Sequence, residues 1–252
     1  MIKTGLVSVS FRKFSPEKIV EMVKKAGLDA IEWGGDVHVP HGDRQVALDV
    51  KKMTKDAGLE IGAYGSYYRV GCEEKYNLTF DKVLESAVTL EAKVIRVWAG
   101  DLASAKADDS TRENLLMETG RIAKAAAEYG IDIAYEFHAN TLTDTIDSAM
   151  DLMDRRLEKN ILSYWQPPIG TTEEEQMNML DRIEPYLSNI HVYHWVNRER
   201  MALQDGVDGW IRLADKIATV PGDRYAMIEF VKNDTEEQFY EDAKALKEIF
   251  IR

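Results

Sequence analysis

Eight short apolar segments alternate with amphipathic helical stretches from one end of the chain to the other. This alternation constrains the fold more than any other feature of the sequence. The segments fall at residues 5–8, 30–33, 60–64, 94–97, 132–136, 161–164, 190–193 and 224–229. Short, nearly continuous apolar runs are what parallel strands covered on both faces require. The stretches between them carry recognisable helix ends. Ser15-Pro16 offers an N-cap followed by proline at the first helical position. Ile19, Val20, Val23 and Ala26 then share one face, and Gly27 supplies the stop. Thr235 and Gln238 have the spacing of a capping box for the last helix. Three helix ends echo one another, each a glycine, an apolar residue and an acid leading into a strand: Gly27-Leu28-Asp29, Gly58-Leu59-Glu60 and Gly130-Ile131-Asp132.

Strict strand–helix alternation demands a parallel sheet, and eight repeats close into a barrel more readily than they form an open sheet. The expected architecture is therefore α/β, a single (β/α)8 TIM barrel spanning residues 1–252, close to the size typical of that fold. An open doubly wound sheet is the runner-up. No Gly-x-Gly-x-x-Gly follows the first strand, so a dinucleotide-binding fold has no support.

The net charge of −12 argues against nucleic acid or an anionic membrane as partner, since both need a positive footprint. Cys72 is the only cysteine, which excludes an internal disulfide and a thiolate metal cluster. Its acidic neighbours Glu73 and Glu74 disfavour the thiolate. No stretch approaches the roughly 18 apolar residues of a membrane span, and the N-terminus lacks a signal-peptide core. A cytoplasmic location is the expectation.

Chemistry in such a barrel is built at the C-terminal ends of its strands. All five histidines map there: His38 and His41 after strand two, His138 after strand five, His191 and His194 in and after strand seven. Glu136 and Glu229 terminate otherwise apolar strands, where a carboxylate is costly unless it meets a cation or a hydrogen-bond network. Paired structural salt bridges are the plainer explanation for such acids. Gln166 ends strand six and His191 lies on strand seven, so Glu136, Gln166, His191 and Glu229 come from neighbouring strands and can converge. Two carboxylates, an amide oxygen and an imidazole suit one divalent metal ion, Mn²⁺, Mg²⁺ or Co²⁺, with Zn²⁺ also compatible.

Several short motifs, taken in order, resemble the xylose-isomerase-like superfamily of sugar isomerases and epimerases. They are Gly27-Leu28-Asp29-Ala30-Ile31-Glu32, Val94-Ile95-Arg96-Val97-Trp98-Ala99-Gly100, Tyr135-Glu136-Phe137-His138, Ile190-His191-Val192-Tyr193 and Ile228-Glu229-Phe230, with Leu203 to Trp210 leading into helix seven. The resemblance spans essentially the whole chain and implies Glu, Asp, His and Glu ligands from strands five to eight. Glu136, His191 and Glu229 match three of these. Gln166 stands where an aspartate is usual, which removes one negative charge from the metal's surroundings and leaves open that Gln166 contacts substrate instead.

The resemblance further implies an isomerase or epimerase of a small sugar or keto-sugar, working through an enediolate with Glu136 and Glu229 as base and acid. Enolisation independently needs a base near the carbon and a cation near the developing oxyanion. A metal-dependent lyase or dehydratase on a keto-polyol or glycoside-derived substrate is the alternative, since the same enolate can expel a β-hydroxyl. More remote are a noncatalytic sugar-binding barrel and an endonuclease IV-like nuclease, the latter at odds with the acidic charge. Around the metal, His138, His194 and Arg96 are expected to contact substrate, with a structural pairing to Glu32 the competing use of Arg96. Trp33, Tyr64, Trp98 and Trp165, with Tyr67 and Trp195, are candidate walls for a sugar ring, with packing a competing use for each. Arg198 and Arg200 are candidates for a phosphate group. Barrels of this kind often form homo-oligomers, but no interface can be read from the sequence.

Overall fold

The computed structural model describes residues 1–251. The strands are β1 (Ile2–Val7), β2 (Ala30–Gly34), β3 (Glu60–Arg69), β4 (Val94–Trp98), β5 (Asp132–Tyr135), β6 (Ile161–Trp165), β7 (Leu187–Val192), β8 (Trp195–Val196), β9 (Glu199–Arg200) and β10 (Arg224–Ile228). Parallel pairing runs β1-β10-β7-β6-β5-β4-β3-β2 and returns to β1, closing an eight-stranded barrel. The strands β8 and β9 form a separate antiparallel hairpin. The helices are α1 (Pro16–Ala26), α2 (Arg44–Asp56), α3 (Glu73–Tyr76), α4 (Phe80–Leu90), α5 (Asp109–Ala127), α6 (Ile146–Asp154), α7 (Glu173–Ile183), α8 (Val207–Thr219) and α9 (Glu236–Phe250). No helix among the described residues is long and apolar enough to cross a membrane.

The helix ends follow local chemistry. Ser15 caps α1 by accepting from the Lys18 amide, Pro16 occupies its first turn, and Gly27 ends it at φ +66°, a left-handed conformation free of Cβ strain only for glycine. The reciprocal capping box lies on α7, between Thr172 and Glu175. On α9 only half of it forms: Thr235 accepts from the Gln238 amide, while the Gln238 side chain donates to Asp242 instead.

A period of two along each strand decides which side chains reach the site. Val7, Ala63, Ala134, Tyr164 and Met227 form one apolar cluster. They come from β1, β3, β5, β6 and β10, which only the barrel interior brings together. Their neighbours in sequence, including Tyr64, Tyr135, Trp165 and Ile228, belong to the larger core between strands and helices. Tyr135 thus points outward, its hydroxyl bonded to Thr119 of α5.

Three boundaries extend beyond the apolar runs by three residues or more. β1 begins at Ile2 and β7 at Leu187, so that they take in the polar residues Lys3 and Thr4, and Ser188 and Asn189, that interrupt the apolar pattern. Asn189 of β7 donates to the Tyr164 hydroxyl at 3.0 Å and accepts from the Tyr225 amide at 3.0 Å. β3 continues to Arg69, past the predicted end at Tyr64. The β8–β9 hairpin had no advance signal, since its two-residue turn, Asn197-Arg198, takes left-handed φ values of +50° and +65° without the glycine that usually marks such turns.

Candidate active site

Glu136 directly follows β5, and its amide still pairs with the Val97 carbonyl at 3.0 Å. Glu229 follows β10 and extends the ladder to Val192 in the same way, at 3.0 Å. Ala134 and Met227 face the interior, so two residues later Glu136 and Glu229 do so too. Gln166 follows inward-facing Tyr164 by the same step. His191 of β7 completes the group, and all four side chains are buried.

One ligand-type atom from each of Glu136, His191 and Glu229 lies within 4.8 Å of the others. His191 Nδ1 is the hub. It stands 2.9 Å from Gln166 Oε1, 3.4 Å from Glu229 Oε2 and 3.9 Å from Glu136 Oε1. The Gln166 amide nitrogen donates to the Phe137 carbonyl at 2.7 Å, which leaves its oxygen turned toward His191. Glu229 Oε2 is buried with no hydrogen-bond partner. An anionic oxygen left this way is expensive unless a cation completes it.

A layer of charge supports this group. His191 Nε2 faces Glu32 Oε2 at 3.2 Å, and the Tyr164 hydroxyl donates to the same oxygen at 2.9 Å. Arg96 donates from Nε to Glu32 Oε1 at 2.6 Å and from Nη1 to Glu136 Oε2, where the Trp98 indole also donates, at 2.5 Å. Glu136 is therefore held through one oxygen while the other faces His191. Gly65 makes room for the pair, since a Cβ there would stand 2.7 Å from both Arg96 Nη2 and Glu32 Oε1. Burial opposes ionisation of Glu32, but Arg96 and His191 outweigh it and hold its pKa down at about 2. Burial likewise disfavours a charged His191, yet Glu229 and Glu32 raise its pKa to about 10. This buried cluster attracts positive charge.

When Glu32 accepts a proton from Nε2 of a neutral His191, Nδ1 is left as a lone pair beside the oxygens of Glu136, Gln166 and Glu229. A carboxylate fixing the far nitrogen of a ligand histidine is a recurrent arrangement at metal sites. With His191 neutral, as a metal ligand must be, Glu32, Glu136 and Glu229 set three negative charges against the single positive charge of Arg96. Two charges remain unbalanced, which one divalent cation matches. The buried Glu–His–Glu group thus has the donors, spacing and charge to hold such an ion.

A cavity of about 600 Å³ opens above the cluster, with Glu136, Gln166, Glu229, Trp98, Tyr67 and His138 in its wall. The loop after β1 contributes Arg12, Lys13 and Phe14, and the loop after β10 contributes Phe230, Asn233 and Asp234. His138 stacks on Trp98 with ring centroids 4.1 Å apart. Its Nδ1 bonds the Ala139 carbonyl at 2.8 Å, so in the neutral ring Nε2 is the acceptor. Tyr67, at φ +56°, packs edge-on against Trp98 and over the Arg96 guanidinium.

Other candidates from the sequence lie elsewhere. Trp33, Tyr64 and Trp165 do not wall the cavity. They have the outward parity, and their rings sit between the barrel and its helices. The Trp33 indole donates to Thr54, the Tyr64 hydroxyl to the Val39 carbonyl, and Trp165 packs against Trp210. His194 lines a separate 370 Å³ cavity with Asp205 and Trp210. His38 bonds Ser8 and the Phe14 carbonyl, and His41 bonds the Ser66 carbonyl. Arg200 lines the main cavity and pairs with Asp234, whereas Arg198 lines a neighbouring cavity. Cys72 has a pKa raised to about 11 by burial and then by Asp101, rather than by the adjacent glutamates. Glu32, central to the geometry, carried the same signal as Glu136 and Glu229: a carboxylate on an otherwise apolar strand.

Residues 20–249 match the family model described as xylose isomerase-like TIM barrel, and the chain belongs to that family. It is 22% identical to a 3-dehydroshikimate dehydratase of Bacillus anthracis, over 75% of this chain and 71% of that one. The crystal structure of a probable 3-DHS dehydratase, AsbF, from the same organism superposes with a TM-score of 0.81 at 19% identity, covering 98% of this chain and 99% of the other. A D-psicose 3-epimerase with D-tagatose from Clostridium cellulolyticum H10 superposes with a TM-score of 0.73 at 14% identity, covering 98% and 97%.

Proposed function

We propose that this barrel is a metal-dependent sugar isomerase or epimerase, which removes a proton from the carbon beside a carbonyl of a small polyhydroxylated substrate. The observation that carries the reading is the buried group of Glu136, His191 and Glu229, whose ligand-type atoms all lie within 4.8 Å of one another. Glu136, Gln166, His191 and Glu229 would hold one divalent ion, Mn²⁺ or Mg²⁺. Such an ion supplies Lewis-acid polarisation of the carbonyl and stabilises the charge that develops on its oxygen.

The chain's own residues divide the remaining work. Glu229, unclamped at Oε2, is the base that takes the proton. Glu136, gripped by Arg96 and Trp98 through its other oxygen, takes a proton from a substrate hydroxyl and delivers it to the carbon, and Glu229 returns its own proton to the oxygen so deprotonated. His138 and Tyr67 face the substrate's hydroxyls, and the Trp98 and Phe230 rings exclude water from its apolar faces. Glu32 keeps His191 in one tautomer, and Arg96 fixes both Glu32 and Glu136.

A second reading, loss of a β-hydroxyl from the same enolate, is supported by the likeness to dehydratases. Incubation of candidate keto-sugars with Mn²⁺-loaded protein, followed by NMR and mass spectrometry, tests both. A rearranged sugar of unchanged mass supports the isomerase, and an enone lighter by one water supports the lyase. Activity that survives chelation and the Glu229→Gln substitution would overturn both.

A further inference from the structure

We propose that the substrate has two parts: a polyhydroxylated unit at Glu136 and Glu229, and a flat apolar group attached to it that lodges in a second chamber beyond Phe230. This rests on the reading of the catalytic cavity given above. The second chamber measures about 790 Å³ and shares His138, Gln166 and Phe230 with the first, so the two adjoin at these side chains. Each alone falls within the roughly 300–1,000 Å³ of a complete small-molecule site. A single sugar unit has no use for both.

Both linings mix polar and apolar groups, with charged side chains more numerous in the catalytic chamber. The catalytic chamber holds the carboxylates and the cations Arg12, Lys13 and Arg200. The second is lined by Phe137, Pro168, Ile169, Tyr193, Trp195 and Phe230 together with polar residues, among them Asn140, Thr143, Asp144 and Arg198. Ile169 is 47% exposed, an apolar side chain facing water where a ligand would cover it. The Trp195 indole N–H is buried with no acceptor. Phe230 adopts φ +61°, a conformation that aromatic residues rarely take. Its ring is fixed there by Tyr193 at 5.5 Å, Trp195 at 5.4 Å and the Arg200 guanidinium at 5.0 Å. Held this way one residue after Glu229, it stands at the boundary between the two chambers.

The test is calorimetric binding of matched methyl and phenyl β-glycosides of glucose, galactose and xylose to the Mn²⁺-equilibrated protein. At least one phenyl glycoside should bind about tenfold more tightly than its methyl partner, through burial of the ring. Ile169→Asp, at an exposed position that the fold does not depend on, should erase that preference. A panel in which no phenyl member outbinds its methyl partner overturns the proposal, as does a preference that Ile169→Asp leaves intact. A phenyl preference in a protein that turns over no carbonyl sugar would keep the chamber and remove the catalytic reading. Turnover without the preference would do the reverse.

Discussion

The two ends of the barrel carry nearly the same cluster in opposite surroundings. At the N-terminal end of the strands, Lys3 meets Glu60 Oε1 at 2.5 Å while the Tyr225 hydroxyl donates to Oε2 at 2.6 Å. At the C-terminal end, Arg96 meets Glu32 Oε1 at 2.6 Å while the Tyr164 hydroxyl donates to Oε2 at 2.9 Å. The first pair is 38% and 45% exposed, the second 1% and 0%. Water screens the lower cluster, so it contributes little and commits the protein to nothing. The upper cluster is desolvated, and a buried ion pair is a poor way to gain stability. Its value lies in what it orients, Glu136 on one side and His191 on the other. Matching chemistry thus has structural consequences at one end and functional ones at the other.

Substitutions at the two ends should separate accordingly. The largest effect belongs to Glu229→Gln and Glu136→Gln, each expected to lower kcat by about 10³-fold with little change in fold, as measured by steady-state kinetics and circular dichroism. Next comes Glu32→Gln, which contacts no substrate. It should weaken divalent-metal affinity by about 10–100-fold, read by calorimetry. Glu32 also ties stability to acidity. Its pKa is depressed from 4.5 to about 2, so its contribution is present above the unfolded value and is lost as pH falls through the folded one. Urea midpoints measured from pH 5 to pH 2 should therefore fall less steeply in Glu32→Gln than in the parent.

A smaller change is expected of Gln166→Asp, which adds a carboxylate beside His191 and should tighten metal binding by roughly tenfold. The smallest belongs to Lys3→Met at the exposed end, which should alter stability by about 0–1 kcal/mol and leave kcat unchanged. A catalytic defect in Lys3→Met, or none in Glu32→Gln, would erase the distinction between the two ends.

The barrel was legible because eight apolar runs and their helix stops repeat, and repetition survives errors in any one segment. The convergence of Glu136, Gln166, His191 and Glu229 was legible because buried strands tolerate carboxylates only under special conditions. Side-chain parity divides the candidate aromatics: Tyr67 and Trp98 line the cavity, while Trp33, Tyr64 and Trp165 pack between strands and helices. Trp33 alternates with Glu32, and Trp165 lies between Tyr164 and Gln166, so each faces the helices when its neighbours face the site. The loop contributions of Lys13, Phe14 and Phe230 had no sequence signal. They reach the cavity through backbone paths, such as the left-handed turn at Phe230, that no local pattern announces.

The most direct measurement is a calorimetric titration of Mn²⁺ into chelator-treated protein, with activity followed on the same samples. One ion per chain should bind, with activity returning in proportion to occupancy, and His191→Ala should abolish both. Full activity in the stripped protein, or Mn²⁺ binding undiminished by His191→Ala, would show that these four side chains do not share a cation.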